Sequence, residues 1–501
     1  MNIKQAKDYI KDCVRMYLKK DEFGEYRIPV VRQRPVFLLG APGIGKTAIM
    51  EQIAQELGLA LVSYSMTHHT RQSALGLPFI CKKEYGGVSV DVSEYTMSEI
   101  IASVYETMEA SGIREGILFL DEINCVSETL APSMLQFLQY KVFGRHRIPD
   151  GWVVVTAGNP PEYNKSVREF DVVTLDRLKV LDVEADYRTW KEYASEQGIH
   201  SAILNYLELK KEHFYRIEAT MKGKTYVTAR GWEDLSEILH LYEEEGLQAE
   251  EELVSQYIRN GKIAKEFTAY YELYNKYKRD YQIYHILSGQ APESAKERAR
   301  VAPFDERLSL VGMLLDRIQS EMREIVETAD YLTELTGILK AVKVLLTGGD
   351  KTLSALLEEQ RARLEKQLIS LQNAGALSKT ERKKKKQVLA FLEAEKKACL
   401  LGEDTDSGFS GTQKRFQERV SLMKRDTEAV SGRLHALFVF LEEVFSDGNE
   451  MLIFVTELTV NDYSARFIGM FGSEDYKRHN DALLITERRN ELQEEIAALE
   501  L

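Results

Sequence analysis

The stretch GAPGIGKT, residues 40–47, has the residue types and the spacing of a phosphate-binding loop. It fits the pattern GxxxxGK[ST] and lies between the apolar run at residues 36–39 and a helical pattern over residues 48–57. Glycines let backbone N–H groups point at phosphate oxygens, and the N-terminus of the following helix adds positive potential. Lys46 can reach the β- and γ-phosphates, and the Thr47 hydroxyl can bind Mg²⁺. The alternative is a chance glycine turn.

Two carboxylates follow a second apolar run, in ILFLDE at residues 117–122. The carboxyl end of a strand is where ligands bind in open α/β sheets. Asp121 is predicted to hold Mg²⁺ through water, and Glu122 is predicted to polarise an attacking water as general base. The alternative is that the two acidic residues only cap the next helix.

A third apolar run, VVVTAGNPP, ends in Asn159, and the two prolines after it force the chain out of the strand. The Asn159 amide can form hydrogen bonds with both the γ-phosphate and the lytic water. An asparagine before proline is also an ordinary turn residue, and its position after the acidic pair favours the functional interpretation.

The elements that must position these side chains are short strands separated by helical patterns, which is typical of a parallel sheet covered on both faces. The predicted strands of this five-stranded sheet span residues 36–39, 60–65, 117–120, 152–156 and 179–183. An amphipathic helix precedes them, because apolar residues recur at helical spacing from Ile3 to Leu18. The α/β domain is therefore expected to cover residues 1–185.

The rest of the chain is expected to be helical. Residues 186–290 show no strand run and are predicted to form a small helical lid domain, with a linker or irregular crossing from Ser288. Residues 291–501 are predicted to form an all-α charged region containing a helical hairpin near 351–400, whose second helix begins at a capping box, Ser378 to Glu381. A flexible break from Gly402 and one or two more helices are expected to follow.

The net charge and the cysteine spacing limit the partners and the cellular compartment that we expect for this protein. The 501 residues carry a net charge of −13, which argues against broad nucleic-acid binding. The hairpin at 351–400 is an exception, with twelve Lys or Arg and six Glu, although its run RKKKK at 382–386 lacks interleaved aromatic residues. The four cysteines form no CxxC pair, and no apolar stretch reaches 18 residues. We therefore expect a soluble cytoplasmic protein without a membrane span.

In this order, GAPGIGKT, GILFLDEIN and TAGNPP resemble the AAA+ superfamily, and they resemble its MoxR branch closely. The stretch LQYKVFGRHRIPDGWVVVTAGNP strengthens the resemblance, which covers residues 28–185 well and extends more weakly to 290. It implies a P-loop αβα sandwich in which the Asn159 strand lies between the strands that carry Lys46 and Asp121. It also implies that ATP and Mg²⁺ are the cofactors. The residues expected to bind ATP are Gly40, Ala41, Pro42, Gly43, Ile44, Gly45, Lys46, Thr47 and Ala48.

The resemblance also implies two arginines that complete the site. Arg177, just before the last strand, matches an arginine supplied to the site of the neighbouring subunit in a ring, expected to be a homohexamer. Arg168 is the alternative for that role, and a surface Arg177 paired with Asp176 is the structural alternative. Arg230, in VTARGWEDL, matches an arginine of the lid domain that contacts the phosphates.

Two insertions, at residues 76–91 and 142–148, are predicted to be β-hairpins turning at Gly86-Gly87 and at Gly144. In similar proteins such hairpins face the ring pore or a partner, and the alternative is surface loops. His68 and His69 have no nearby Cys or carboxylate array at ligand spacing and are interpreted as structural or surface residues.

The function expected from these residues is ATP hydrolysis. The resemblance suggests an ATPase that remodels a partner protein, either one with a von Willebrand factor A domain or an enzyme that is activated or loaded with metal. Two alternatives stay open: a nucleotide-gated scaffold that binds through its helical tail, and a DNA-associated AAA+ motor. An acidic protein partner for the basic hairpin is also open.

Overall fold

A computed structural model describes residues 1–68, 72, 74, 76–143, 145–164, 166–220, 223–348, 351–400, 409–446 and 448–482. The chain divides into two compact units. The first unit combines Met1–Thr189 with Glu359–Leu389, and the second combines Trp190–Glu358 with Ala390–Leu501.

The first unit is built on alternating strands and helices. Its helices are α1 (Ile3–Tyr17), α2 (Lys46–Leu57), α3 (Glu99–Ser111), α4 (Ala131–Tyr140) and α5 (Val172–Leu175). Its strands are β1 (Val36–Gly40), β2 (Ala60–Ser65), β3 (Pro78–Tyr85), β4 (Val88–Tyr95), β5 (Gly116–Asp121), β6 (Val142–Phe143), β7 (His146–Arg147), β8 (Trp152–Gly158) and β9 (Lys179–Val183).

Five of these strands form one parallel sheet in the order β2-β5-β8-β1-β9. The three inner strands are almost continuously apolar and buried, as a sheet covered on both faces requires. The prediction of a five-stranded parallel sheet is confirmed, and β8 lies between β1 and β5 as the resemblance implies. The carboxyl ends of these neighbouring strands bring the predicted site residues to one edge.

The two insertions are hairpins, as predicted. Strands β3 and β4 pair in antiparallel fashion from Pro78↔Tyr95 to Tyr85↔Val88, around the turn at Gly86 and Gly87. Strands β6 and β7 pair through two residues each. The predicted turn residue Gly144 and the predicted structural residue His69 lie outside the described residues.

A second part of the chain joins the first unit. Helices α14 (Leu353–Asn373) and α15 (Lys379–Leu400) form the predicted hairpin, and its section Glu359–Leu389 packs in the first unit. Ser378 caps α15, accepting a hydrogen bond from the Glu381 N–H at 3.1 Å. Lys385 of the basic run is 9% exposed and pairs with Glu381, so part of this run is buried.

The second unit is mainly helical, with one strand pair. Its elements are α6 (Tyr187–Gln197), α7 (Ser201–Leu209), β10 (Arg216–Thr220), β11 (Gly223–Val227), α8 (Ala229–Glu244), α9 (Glu251–Tyr257), α10 (Gly261–Asp280), α11 (Ile283–Leu287), α12 (Glu293–Val301), α13 (Phe304–Gly348), α16 (Phe409–Phe445), α17 (Asn449–Val460) and α18 (Asp462–Phe471). Apolar side chains of α13, α16, α17 and α18 form its core.

Three expectations about this part of the chain are wrong. Strands β10 and β11 interrupt the helical stretch at 186–290, and they escaped detection because each is a five-residue, largely polar strand. The expected linker from Ser288 contains helix α12, which begins after Pro292 and buries Ala295 and Ala299. Three helices rather than one or two lie between residues 409 and 471.

The domain boundaries at 185 and 290 remain predictions. Among the described residues, the structure contains no helix with the length and apolar character needed to cross a bilayer.

Candidate functional site

The phosphate-binding loop connects β1 to α2. Gly43 and Gly45 have φ values of 73° and 92°, in the left-handed region that favours glycine. Gly40 has no room for a side chain, because a Cβ there would lie 2.6 Å from the carbonyl oxygen of Val183. The loop therefore turns sharply into α2, and glycines occupy the positions where the backbone is left-handed or where a side chain would clash.

Lys46, at the first position of α2, is buried in the loop and 8% exposed. Its ammonium group donates hydrogen bonds to the carbonyl oxygens of Gly40 and Ala41, both at 2.8 Å, and to Oδ1 of Asn159 at 2.9 Å. The structure thus brings the predicted cation of the loop and the predicted amide that follows β8 into direct contact.

Thr47 and Asp121 supply oxygen ligands of the kind that Mg²⁺ prefers. The Thr47 hydroxyl donates a hydrogen bond to Oδ2 of Asp121 at 3.2 Å, although the two residues are 74 positions apart in sequence. Asp121 is the last residue of β5, and its other oxygen, Oδ1, accepts the Glu122 N–H at 2.8 Å. This pair of side-chain oxygens fits the predicted metal site.

Glu122 follows β5 in an unusual backbone conformation. Its φ is 56°, in the left-handed region that non-glycine residues rarely adopt. Its Oε2 accepts hydrogen bonds from the hydroxyls of Ser65 at 2.8 Å and Thr67 at 2.9 Å. Ser65 is the last residue of β2, the outer strand beside β5. Its hydrogen bond therefore connects the predicted base, Glu122, to the outer strand of the sheet.

Asn159 is held through a second asparagine. The Asn124 side chain donates a hydrogen bond to the Asn159 carbonyl oxygen at 2.9 Å. Asn124 is 4% exposed and packs against Gly158, where a Cβ would lie 2.4 Å from the Asn124 Oδ1. That Oδ1 is buried and has no hydrogen-bond partner among the described residues.

Sequence reasoning missed Ser65, Thr67, Asn124 and Gly158. A signal existed for Asn124, the last residue of the quoted GILFLDEIN, and for Gly158, which lies in the quoted TAGNPP. Cys125, which follows Asn124, has its thiol pKa raised by burial and by the negative charges of Glu122 and Asp121.

The remaining loop residues lie around Lys46 and Thr47. Ala41 and Ile44 are buried, while Pro42 and Ala48 are half-buried. Ile44 packs close to Gly40, since a Cβ on Gly40 would lie 2.9 Å from the Ile44 side chain. These contacts fix the shape of the loop.

The predicted arginines lie outside this cluster of contacts. Arg177 is exposed on the turn between α5 and β9. Hydrogen bonds from Thr174, and to a lesser degree the charge of Arg177, lower the pKa of Asp171. Arg168 forms an ion pair with Glu128 at 2.7 Å. Arg230 is exposed near the start of α8 and belongs to the second unit.

Comparison with known proteins agrees with this geometry. Residues 36–171 match the family model of AAA, the ATPase family associated with various cellular activities. No curated protein matches the chain.

Among solved structures, a protein from Cytophaga hutchinsonii that is provisionally named an ATPase matches with 16% sequence identity and a TM-score of 0.24. The match covers 38% of this chain and 55% of that chain, so the chain spans about half the length of that protein. From the family match and the convergence of Lys46, Asp121 and Asn159, residues 36–171 are an AAA ATPase-family domain.

Proposed function

We propose that this protein binds ATP with Mg²⁺ at the phosphate-binding loop and hydrolyses it. The observation that carries the proposal is the contact of Lys46 with Asn159 and of Thr47 with Asp121 at one sheet edge. A cation, an amide and two metal-binding oxygens at a glycine-rich loop are the groups that phosphoryl transfer to water needs.

Each side chain has a distinct proposed role. Lys46 binds the β- and γ-phosphates in exchange for its present carbonyl partners, and Asn159 orients the γ-phosphate and the attacking water. Glu122 accepts the proton of that water as general base. Thr47 and Asp121 would hold Mg²⁺, which neutralises phosphate charge when bound.

Completion of the site by a neighbouring subunit is a further part of the proposal. Arg177 is exposed on the turn that leads into β9, next to the strand that carries the loop. Arginine suits this role because its rigid fork of donors matches the charge spread over a transferring phosphoryl group. We propose a ring, in keeping with the MoxR-like motifs, with Arg168 as the alternative donor and Arg230 contacting the phosphates from the lid.

We propose that ATP hydrolysis drives the remodelling or activation of a partner protein in the cytoplasm. The proposal rests on the MoxR-like motifs and on the β3–β4 hairpin, whose exposed apolar side chains suit contact with a protein. A nucleotide-gated scaffold is the alternative. A DNA motor is less well supported, because the chain carries a net charge of −13 and because Lys384 and Lys385 of the basic run form ion pairs with Glu381.

The experiment that tests the proposal replaces Lys46 by alanine. Charge-assisted hydrogen bonds contribute about 1.5–3 kcal/mol each, so the dissociation constant for ATP should rise by on the order of 10- to 100-fold. Calorimetry on the wild type, Lys46→Ala and the exposed control Lys424→Ala measures this. Unchanged ATP affinity in Lys46→Ala, or a wild type that releases no phosphate from ATP, would overturn the proposal.

A further inference from the structure

The tip of the helical hairpin lies against the outer strand of the sheet. We define the hairpin tip as residues 370–376, the end of α14 and the turn before α15. The Leu61 N–H of β2 donates a hydrogen bond to the Ala374 carbonyl oxygen at 2.8 Å. Among the described residues, β2 is an edge strand that pairs with β5 alone, so the hairpin tip covers part of its free edge.

The packing of the hairpin tip is close and apolar. Ala374 is 0% exposed and Ala376 is 7% exposed, and both belong to the core that contains Phe37 and Val62. At Gly375, whose φ is +65°, a Cβ would lie 3.2 Å from the Leu61 carbonyl oxygen. The hairpin tip is therefore part of the apolar core of the first unit.

The hairpin tip also binds the end of helix α3. The Ser370 hydroxyl donates to the Ser111 carbonyl oxygen, and the Asn373 side chain donates to the Ala110 carbonyl oxygen at 3.2 Å. Carbonyl groups in the last turn of a helix have no partner within the helix, so these bonds cap α3. Helix α3 also contacts β2 near its start, where the hydroxyls of Ser103 in α3 and Tyr64 in β2 form a hydrogen bond.

The same strand ends at the proposed catalytic base. Leu61 contacts the hairpin tip, and Ser65, four residues further along β2, donates to Glu122. At about 3.3 Å per residue these two contacts are about 13 Å apart along one extended strand. One strand therefore contacts both the hairpin tip and the proposed catalytic base.

We propose that the hairpin tip is a positioning element for Glu122 and that it acts through β2 and α3. This inference rests on the proposed ATPase function. While the hairpin tip is docked, the hydroxyls of Ser65 and Thr67 hold Oε2 of Glu122, which restrains the carboxylate that must accept a proton from water. Release of the hairpin tip loosens β2 and lets Glu122 reach the water, so docking restrains basal hydrolysis.

The first test weakens docking without touching the nucleotide site. The double variant Ser370→Ala/Asn373→Ala removes both bonds to α3, and Gln372→Ala, an exposed neighbour on the same turn, is the matched control. Loss of one typical net hydrogen bond at Glu122 corresponds to a rise in kcat of on the order of five-fold. The ATP dissociation constant of the double variant should stay within about two-fold of the wild-type value. Replacing Ser370 by threonine instead of alanine retains the hydroxyl and should bring kcat back toward the wild-type value.

A double-mutant cycle identifies the route. In a Ser65→Ala/Thr67→Val background the hydroxyls that hold Glu122 are absent, so the hairpin-tip variant should change kcat no further. Hydrogen exchange at the Leu61 amide should be faster in the hairpin-tip variant, which reports docking independently of activity. An equal change of kcat in both backgrounds, an effect on ATP affinity alone, or unchanged Leu61 exchange would overturn the inference.

The two proposals fail in different ways. A wild type that releases no phosphate overturns the ATPase proposal. A wild type that hydrolyses ATP, with a hairpin-tip variant identical to it in kcat, overturns only the positioning role.

Discussion

The contact between Gly158 and Asn124 gives a prediction about the sheet edge. In Gly158→Ala the new Cβ would lie 2.4 Å from Oδ1 of Asn124, and an ordinary contact needs about 1 Å more. Asn124 is 4% exposed and cannot turn into solvent, so it must shift and weaken its bond to the Asn159 carbonyl. We expect the strained core to lose about 1–3 kcal/mol of stability.

The effect on turnover should be larger than the effect on ATP binding. Asn159 meets Lys46 through Oδ1 at 2.9 Å, so a shift of Asn159 displaces the group proposed to orient the attacking water. A misplacement of about 1 Å at a reacting centre can reduce the rate by about 10²-fold. Phosphate release and urea unfolding of the purified variant measure the two effects.

Two further variants test the cause. In Asn124→Ala/Gly158→Ala the clash is gone, so stability should recover relative to Gly158→Ala, while turnover should stay low because the hydrogen bond from Asn124 to the Asn159 carbonyl oxygen is lost. Gly432→Ala is the control, since a Cβ there meets nothing within 4 Å. Wild-type stability and turnover in Gly158→Ala would refute the reasoning.

Two other predictions follow from particular side chains. The variants Glu122→Gln and Arg177→Ala should each be nearly inactive. If Arg177 acts across a subunit boundary, rings shown to contain both variants should regain part of the phosphate release. No recovery in such mixed rings would contradict action across the boundary. Lys141 is 2% exposed, and burial lowers its pKa from 10.5 to about 7. Between pH 7 and 10.5 the unfolded chain then binds more protons than the folded chain, so this lysine makes stability rise with pH in that window. Lys141→Met should therefore raise the unfolding free energy by about 1–4 kcal/mol at pH 7. The gap in unfolding free energy between this variant and the wild type should narrow toward pH 10. An equal gap at both pH values would contradict the lowered pKa of Lys141.

Much of the sheet could be predicted from sequence because its three inner strands are short apolar runs buried on both faces. The outer strands β2 and β9 are only partly buried, and the predicted spans at 60–65 and 179–183 still coincide with them. The order of the strands came from the resemblance, because composition and periodicity say nothing about which strands are neighbours. The polar strands β10 and β11 lack the apolar signal and were missed.

The contacts around the site were less predictable. Lys46, Asp121 and Glu122 belong to contiguous motifs, whereas Ser65 and Thr67 are ordinary hydroxyl residues whose role depends on β2 lying beside β5. The hairpin tip meets Leu61 across more than 300 residues of chain, a contact that no local pattern encodes. Long-range contacts of this kind depend on tertiary packing.

The central claim is that Glu122 is the base of an ATP-hydrolysing site, and the measurement that tests it most directly is ATP binding and turnover by Glu122→Gln. General bases contribute about 10²- to 10⁴-fold to rate, and an amide cannot accept the proton of water. We predict that Glu122→Gln binds ATP with near wild-type affinity and that phosphate release falls by at least about 10²-fold. Wild-type phosphate release, or a loss of ATP binding equal to the loss of turnover, would contradict the claim.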